Sequence, residues 1–286
     1  MTISICPTYF YYEAEETVNE DNGVLPKQLK QATLPLFLEG PARWLKTKQP
    51  DKVKEEMIQA VQNSPLFDRK LEMYKLNASL REVPYEVGRI RAFPPGWLEN
   101  ESVWLHMEYK YLLSLLECGM YDSFFTAFTA AAIPFLPPEQ YKRSTLENSS
   151  FLLSSANPDT ASHGRGYVAR LSGSTAEFIS IWNRMLFGKA PFFLESGSLS
   201  LRFRPAIPKE LLCPEGLMGT FLKSTEVLYH TGSLTELKPG GYRINRYRLY
   251  TKDGFVDVHG DTIPNPWALE VREGAVPHID VYFQKG

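Results

Sequence analysis

The hydrophobic pattern of this chain changes near residue 190, and this change constrains the fold more than any other feature of the sequence. Before residue 190, apolar residues recur at the three- and four-residue spacing of amphipathic helices. After it, they alternate in short runs that are separated by Gly, Pro and Asp. Helices followed by a run of strands indicate an α+β chain. We therefore expect a helical domain over residues 1–189 and an antiparallel, β-sandwich-like domain over residues 190–286.

The individual elements follow from the same pattern. The predicted helices are Leu34–Lys46, Asp51–Asn63, Glu101–Gly119, Tyr121–Ile133 and Ser174–Phe187. The predicted strands are Leu199–Phe203, Gly219–His230, Tyr242–Thr251, Phe255–Val258 and Ile279–Phe283. The third helix has the clearest period, and its final glycine is typical of a helix end.

Charge and composition exclude several classes of protein. The chain has 31 basic and 33 acidic residues, so it lacks the basic excess that binding to a nucleic-acid backbone requires. It has neither an apolar run long enough for a membrane span nor the features of a signal peptide. Its three cysteines, Cys6, Cys118 and Cys213, are widely spaced and fit a reducing compartment and no metal site. We expect a cytoplasmic protein.

The first candidate functional segment follows a turn over residues 94–96, which reads Pro-Pro-Gly. Two interpretations of the next residues remain open. Asn100 is a good helix N-cap and Glu101 suits the positive end of a helix. Alternatively, Glu99, Asn100 and Glu101 lie on a loop that presents them to a ligand. His106 lies off the main apolar stripe of the helix that follows, which favours a functional role only if a second anion-binding element faces it.

A second segment provides such an element. Ser174 and Glu177 form the capping-box pattern Ser-x-x-Glu, which predicts a helix start. Gly173 lets a ligand approach the backbone closely, and the hydroxyl of Ser172 adds a donor beside the free amides. The segment is therefore either an ordinary capped helix or an anion site.

The long segment over residues 141–167 is rich in small polar groups and has little helical period. Long irregular segments inside a compact domain are often functional. Glu147, Asn148 and Asp159 are candidates for hydrogen bonds to sugar hydroxyls. They are equally suited to bonding the backbone of their own loop.

These motifs resemble those of the inverting glycoside phosphorylases typified by cellobiose phosphorylase. In that family a Pro-rich turn leads to a Glu-Asn-Gly motif, and a phosphate-binding His follows seven positions after the Glu. Glu99, Asn100 and His106 keep this spacing. The family's phosphate loop, Leu-Thr-Gly-Thr-Ala-Ala-Trp, is similar to Leu171–Phe178. The resemblance covers roughly residues 25–286 and matches a large, divergent branch of the family.

The resemblance implies a phosphate site formed by His106, Ser172 and Gly173. Inorganic phosphate is then a co-substrate, and no other cofactor is implied. In this mechanism phosphate attacks the anomeric carbon while an acid protonates the leaving sugar oxygen, so that the configuration is inverted. Several positioned donors hold the phosphate for the attack.

The resemblance also implies that Glu99, Asn100 and Glu101 line the sugar pocket. Glu101 departs from the motif, because the family has Gly at this position. Leu98 stands where cellobiose phosphorylase has a Lys that contacts the acceptor sugar. The sugar and the linkage are therefore not fixed by the sequence.

The family fold is a toroid of six helical hairpins, whereas this sequence predicts five helices. The family's catalytic Asp and a phosphate-binding Arg have no counterpart here. We therefore expect the carboxy-terminal part of a phosphorylase that cleaves a β-glucoside-type disaccharide or oligosaccharide. The expected partners are carbohydrate, phosphate and an amino-terminal half encoded upstream. A partial toroid also predicts an exposed apolar surface formed by Leu36, Phe37, Leu38 and Trp44.

Two other interpretations stay open at this stage. The chain is equally compatible with a non-catalytic carbohydrate-binding or assembly subunit, and with an inactive truncated gene product. A homo-oligomer is also compatible with the sequence. No pattern in the residues separates these interpretations.

Overall fold

The computed structural model describes residue 5, residues 7–169 and residues 172–286, apart from the side chain of Ser172. Cys6 and Leu171 lie outside the described residues. The chain forms two compact units, Met1–Phe178 and Ile179–Gly286. The division falls within a helix, upstream of the change in pattern at residue 190.

The predicted α+β class is confirmed, and the described residues contain seven α-helices. They are α1 (Glu39–Trp44), α2 (Asp51–Gln62), α3 (Leu105–Glu117), α4 (Tyr121–Ala131), α5 (Pro138–Tyr141), α6 (Ser172–Phe187) and α7 (Trp267–Glu273). Short 3-10 helices lie at Tyr85–Val87, Arg89–Ala92, Ile133–Phe135, Thr160–Ser162 and Lys209–Leu211. No helix in the described part of the chain combines the length and the apolar character needed to cross a membrane.

Within the described part of the first unit, the strands form three small antiparallel sheets. The strands are β1 (Phe10–Glu20), β2 (Gly23–Thr33), β3 (Phe67–Asp68), β4 (Met73–Tyr74), β5 (Val103–Trp104), β6 (Phe151–Leu152) and β7 (Gly166–Tyr167). The long strands β1 and β2 form a two-stranded ribbon, β3 pairs with β4, and β6 lies between β5 and β7. The last sheet ties the start of α3 to the polar segment, since β5 leads directly into that helix.

The second unit is built around a five-stranded sheet. Its strands are β8 (Phe192–Glu195), β9 (Ser198–Leu201), β10 (Leu217–Leu222), β11 (Thr225–His230), β12 (Tyr242–Thr251), β13 (Gly254–His259) and β14 (His278–Lys285). The large sheet has the order β10-β11-β14-β12-β13, and β8 and β9 form a separate hairpin. The pair β11–β14 is parallel, in contrast to the purely antiparallel arrangement that we predicted. The other pairs of this sheet are antiparallel.

Helix α3 lies at the centre of the core of the first unit. Tyr109, Tyr111, Leu112 and Leu115 are all fully buried, and the helix packs against α1 and α4. Full burial of one large apolar side chain stabilises a fold by about 1.5–3 kcal/mol. The position of α3 is therefore strongly determined, which matters because the candidate site lies at its first turn.

In the second unit, alternate residues of the sheet point into the core. Tyr229 on β11 and Tyr247 on β12 are fully buried, and both rings contact Phe203, at 6.2 and 5.9 Å between ring centroids. The same alternation places the intervening side chains on the opposite face of the sheet. That face carries charged residues, as described below.

The predicted helix over Leu34–Lys46 is largely wrong, because only Glu39–Trp44 is helical. The chain before it is held by backbone hydrogen bonds to a distant loop, from Leu38 to Leu76 and from Ala78 to Leu36. Phe37 and Leu38 are buried, so they do not form the exposed apolar surface that we predicted. Leu36 and Trp44, the other two residues of that surface, are half-buried.

Candidate functional site

The Pro-Pro-Gly turn is as tight as the sequence predicts. Gly96 has a φ of +79°, and a Cβ on it would lie 2.9 Å from the Asn157 side chain. The turn is followed by two non-glycine residues in the left-handed region, Leu98 with φ +46° and Glu101 with φ +57°. This conformation costs a residue with a side chain roughly 1–2 kcal/mol. The surrounding contacts must therefore hold this loop in place.

Those contacts are polar and largely buried. Nζ of Lys75 lies 3.0 Å from Oε1 of Glu101, and both side chains are only about a tenth exposed. The Glu101 amide donates to Oδ1 of Asn77, at 2.7 Å. Nδ2 of Asn100 donates to the carbonyl of Phe93, at 2.6 Å. Asn100 and Glu101 are thus directed at protein groups in this structure.

The capping interpretation of these residues is wrong. Helix α3 begins at Leu105, and its N-cap is Trp104, which makes no side-chain capping bond. The reason lies in the preceding strand, because Val103 and Trp104 are paired with Phe151 and Leu152 and extend the chain before the helix begins.

Glu99 is the most accessible of the three predicted sugar-binding residues. Its carboxylate pairs with the guanidinium of Arg89, at 2.9 Å, and its side chain is 26% exposed. The structure therefore separates Glu99, at the surface, from its two buried neighbours.

The structure brings His106 and Gly173 together, although 66 residues separate them in the sequence. A Cβ on Gly173 would lie 2.6 Å from Nδ1 and 2.7 Å from Cγ of His106, so only glycine leaves room for the ring. Both residues occupy the second position of their helices, α3 and α6. A ring contact between Tyr109 and Phe178, at 5.3 Å, fixes these two helix starts relative to each other.

Two charged residues act on the imidazole. Burial and then the positive charge of Lys110 lower the pKa of His106, and Glu177 raises it by less. Nε2 of His106 lies 3.7 Å from Oε1 of Glu177, with the two side chains 36% and 21% exposed. The lowered pKa favours a neutral imidazole at neutral pH, which presents one N–H donor.

Helix α6 begins at Ser172, two residues before the position that the capping box predicts. Ser174 is therefore inside the first turn, where it is buried, and it is not the N-cap. The side chain of Ser172, the third predicted phosphate ligand, lies outside what the structure describes.

The polar segment over residues 141–167 satisfies much of its own hydrogen bonding. Asp159 accepts a hydrogen bond from the amide of Ala161, and Glu147 pairs with Arg143, at 2.9 Å. Asn148 accepts a hydrogen bond from the hydroxyl of Tyr109, at 3.2 Å. These contacts favour a structural role for the three residues.

Sequence reasoning missed a buried carboxyl group in α3. Glu108 is fully buried, and its Oε2 accepts a hydrogen bond from the amide of Tyr74, at 3.0 Å. Burial raises the pKa of Glu108 well above its usual range. The helical periodicity of α3 does not indicate that Glu108 is buried, because a glutamate inside a helix is normally assigned to the solvent-facing side.

A second group that was missed lies on the polar face of the large sheet. Oδ1 of Asp280 lies 2.8 Å from Nε2 of His230 and 3.1 Å from Nε2 of His278. Oδ2 of the same carboxylate accepts a hydrogen bond from Tyr250, at 2.9 Å, and Nδ1 of His278 lies 2.9 Å from Oε2 of Glu226. The register of three strands assembles this cluster, which no local motif indicates.

Two cavities of the first unit lie away from the His106–Gly173 contact. One of about 220 Å³ is lined by residues that include Lys70, Gln140 and Gly164. Another of about 380 Å³ lies between α2 and α4 and is lined by residues that include Ile58 and Asp122. Neither is lined by His106, Gly173 or Glu177.

Comparison of the chain with models of known protein families and with curated proteins gives no match. Among the residues that the structure describes, no group of three or more His, Cys, Asp and Glu is arranged to hold a metal ion. The motifs and the geometry around His106 are therefore the features that bear on function.

Proposed function

We propose that the chain is the carboxy-terminal part of an inverting glycoside phosphorylase and that its phosphate site lies between the first turns of α3 and α6. The observation that carries this proposal is the contact between His106 and Gly173. The resemblance to the phosphorylase motifs implies the same two residues as phosphate ligands.

The chemistry of this place suits a phosphate. The first amides of a helix have no partner within the helix, and the helix dipole is positive at that end. Here two such ends meet, and the absence of a side chain at Gly173 lets the imidazole of His106 lie directly against its backbone. The imidazole of His106 supplies a further donor, and Lys110, one turn later on α3, supplies positive charge. Ser172 would add its hydroxyl.

One residue opposes phosphate binding. The carboxylate of Glu177 lies beside His106, where it competes with an incoming anion for the same donor. Two like charges about 4 Å apart repel by roughly 1 kcal/mol in water and by more in a partly buried site. Removal of this charge is therefore expected to strengthen phosphate binding.

The sugar pocket is proposed to lie over the loop of Glu99, Asn100 and Glu101. In the phosphorylase motif the third position is Gly, and here Glu101 adopts the left-handed conformation that suits Gly. A glycine would adopt this backbone conformation without strain, which is consistent with the Gly of the motif. A sugar would reach Glu99 at the surface first, since the other two side chains are buried.

The helices of the first unit are proposed to be part of the family's α/α toroid, and the second unit its carboxy-terminal β-domain. We assign the general acid of the reaction to no residue of this chain. Glu108 does not provide it, because its side chain is fully buried. The acid would come from an amino-terminal half supplied by the longer protein or by a partner.

The purified chain alone is expected to release no sugar 1-phosphate from a β-glucoside disaccharide. Loss of a general acid costs about 10²–10⁴-fold in rate. The measurement is a coupled assay for sugar 1-phosphate with a panel of disaccharides and inorganic phosphate. Robust turnover would show that the chain contains an acid that we have not assigned.

Binding of phosphate tests the site independently of turnover. In ³¹P NMR titrations of the whole chain with inorganic phosphate, His106→Ala should raise the Kd by about 10-fold or more, because a hydrogen bond to a charged group contributes about 1.5–3 kcal/mol. Gly173→Ala should have a similar effect, since its Cβ would displace the ring. Glu177→Gln should lower the Kd.

The matched control is His259→Ala, which removes an exposed histidine of the second unit. Its phosphate affinity should equal that of the wild type. The proposal fails if the wild-type chain does not bind phosphate at millimolar concentration. It also fails if His106→Ala and the control bind phosphate equally well.

A further inference from the structure

The second unit contains a cavity of about 290 Å³ beside the end of helix α6. Lys189, Arg202 and Arg204 line it, together with Phe187 and Phe193. Among the described residues, no acidic side chain lines this cavity. We call it the basic cavity. Like charges repel each other, so three cationic side chains around one small space favour an anion bound among them. A cleft lined by charges of one sign also raises the local concentration of ions of the opposite sign.

Backbone hydrogen bonds between two segments of the second unit hold the basic cavity together. Helix α6 ends at Phe187, whose carbonyl accepts a hydrogen bond from the amide of Arg204, at 3.2 Å. The amide of Arg202 donates to the carbonyl of Pro191, at 2.8 Å. Gly188 has a φ of +87°, and a Cβ on it would lie only 3.0 Å from Cβ of Arg204. The turn after the helix is therefore held directly against the segment that carries both arginines.

The two arginines keep donors available for a ligand. Nε of Arg202 donates to Oγ1 of Thr262, at 2.8 Å, and lies 3.3 Å from Oδ2 of Asp261. These contacts use only Nε, so the two terminal nitrogens of the guanidinium remain for a ligand. The same guanidinium lies 5.1 Å from the ring centroid of Phe193, a contact that limits its movement. Arg204 is exposed, and within the described part of the chain its side chain forms no ion pair or hydrogen bond.

The end of α6 opposes an anion, but only weakly. The last carbonyls of a helix carry the equivalent of roughly half a negative charge, and one basic residue after the helix is enough to balance it. The basic cavity has three full positive charges. Over residues 179–208 the chain has four basic residues and one acidic residue, although its net charge as a whole is −2. The positive charge around the cavity therefore exceeds what the helix end requires.

We propose that the basic cavity binds a small organic phosphate monoester. Such a group carries about −1.5 to −2 charges at pH 7, which matches three cations better than the single charge of a carboxylate. A guanidinium binds phosphate oxygens through two parallel N–H donors. Ligand cavities usually measure about 300–1,000 Å³, so this cavity suits a molecule as small as a sugar phosphate. Its organic part would lie against Phe187 and Phe193. The proposal does not depend on the phosphorylase reaction, because His106 and Gly173 do not line this cavity.

The experiment is isothermal titration calorimetry of the whole chain with glucose 6-phosphate as the probe. The wild type should bind it at millimolar concentration or below. Arg204→Gln should raise the Kd by about 10-fold or more, because it removes charged hydrogen bonds to the phosphate. Lys189→Gln should act in the same direction. Inorganic phosphate should bind more weakly because it leaves the rest of the cavity unfilled, and glucuronate should bind more weakly because it carries one charge.

Arg272→Gln is the matched control, since it removes the same charge from an exposed residue of α7 that does not line the cavity. Its Kd should stay within about twofold of the wild-type value, because salt screens distant exposed charges. His106→Ala should keep the binding that Arg204→Gln weakens, which separates this cavity from the phosphate site proposed between α3 and α6. Far-UV circular dichroism confirms that each variant is folded.

A wild-type chain that does not bind glucose 6-phosphate at millimolar concentration overturns the proposal. Equal effects of Arg204→Gln and Arg272→Gln also overturn it, as does complete loss of binding in His106→Ala. Equal affinities for glucose 6-phosphate and glucuronate, or for glucose 6-phosphate and inorganic phosphate, would contradict the assignment of a phosphate monoester.

Discussion

Glu101→Gln is expected to destabilise the first unit by about 3–5 kcal/mol, because it leaves the ammonium group of Lys75 buried without a counter-charge. Both side chains of this pair are about a tenth exposed, so water cannot replace the lost carboxylate. A typical domain has a free energy of unfolding of only about 5–15 kcal/mol. The variant should therefore lose a large fraction of its free energy of unfolding at 25 °C. The measurement is urea denaturation followed by fluorescence.

Glu99→Gln is the matched control, since it makes the same change two residues away. Glu99 pairs with an Arg89 side chain that is 78% exposed, and exposed pairs contribute about 1 kcal/mol or less. The double variant Lys75→Met/Glu101→Gln should regain most of the lost stability, because it removes both charges. A double variant as unstable as Glu101→Gln would contradict this explanation.

The same series separates a structural role of Glu101 from a role in sugar binding. If the carboxylate serves mainly to hold a sugar, Glu101→Gln should weaken sugar binding and leave the free energy of unfolding nearly unchanged. The buried ion pair with Lys75 predicts the opposite result, a large loss in the free energy of unfolding and a smaller effect on sugar binding. It also explains why a side chain is tolerated at a left-handed position, since the ion pair offsets the backbone strain.

The sequence predicted most reliably those elements whose periodicity matches their burial. Helix α2 begins at Asp51 and α4 at Tyr121, as the pattern indicates, because each helix has one apolar side that packs on the core. The strand Tyr242–Thr251 was predicted with its observed bounds for the same reason. The predicted single strand Gly219–His230 is in fact two strands that meet at Lys223, whose φ is +55°.

The β1–β2 ribbon was not predicted, and its exposure explains why. A strand is recognised from the sequence when one face is buried and apolar residues alternate with polar ones. Both faces of the ribbon are in water, two irregularities near Glu16 shift its register, and Pro26 lies within the second strand. None of these features produces a strand-like pattern.

For the candidate site, the sequence identified residues but not their surroundings. The motifs pointed to His106 and Gly173, and their closeness depends on the packing of α3 and α6, which no local pattern encodes. The burial of Glu101 depends on contacts with Lys75 and Asn77, which lie 26 and 24 residues earlier in the sequence. Contacts between residues that are distant in the sequence therefore bring His106 and Gly173 together. They also explain why the capping interpretation of Asn100 and Glu101 is wrong.

Asp280→Asn is expected to destabilise the second unit by about 2–3 kcal/mol at pH 5.5, since this carboxylate accepts hydrogen bonds from three side chains. Its side chain is 7% exposed, and the donors are His230, His278 and Tyr250. Burial alone would raise the pKa of Asp280, but these hydrogen bonds outweigh it and lower the pKa. The cluster therefore requires an ionised Asp280 in the folded state.

The pH dependence follows from the directions of two pKa shifts. A lowered pKa of Asp280 contributes stability above its unfolded value of 3.8, and this contribution is lost as the pH falls through the folded pKa. Burial lowers the pKa of His278, but its hydrogen bonds to Glu226 and Asp280 outweigh burial and raise it. The stabilisation by His278 is then complete below its unfolded pKa of 6.5 and is lost as the pH rises through the folded pKa.

The cluster should therefore stabilise the second unit most between about pH 4 and pH 6.5. His278→Gln is expected to flatten the decrease in stability above pH 6.5, where titration of one proton changes the free energy of unfolding by at most about 1.4 kcal/mol per pH unit. The control His259→Gln, on an exposed residue of β13, should retain the wild-type pH profile. Thermal unfolding of the three proteins from pH 4.5 to 8.5 provides the comparison. If wild type and His278→Gln keep parallel profiles above pH 6.5, the bridging histidine is not charged in the folded state. The hydrogen bonds from both of its ring nitrogens to carboxylates would then have to be reassigned.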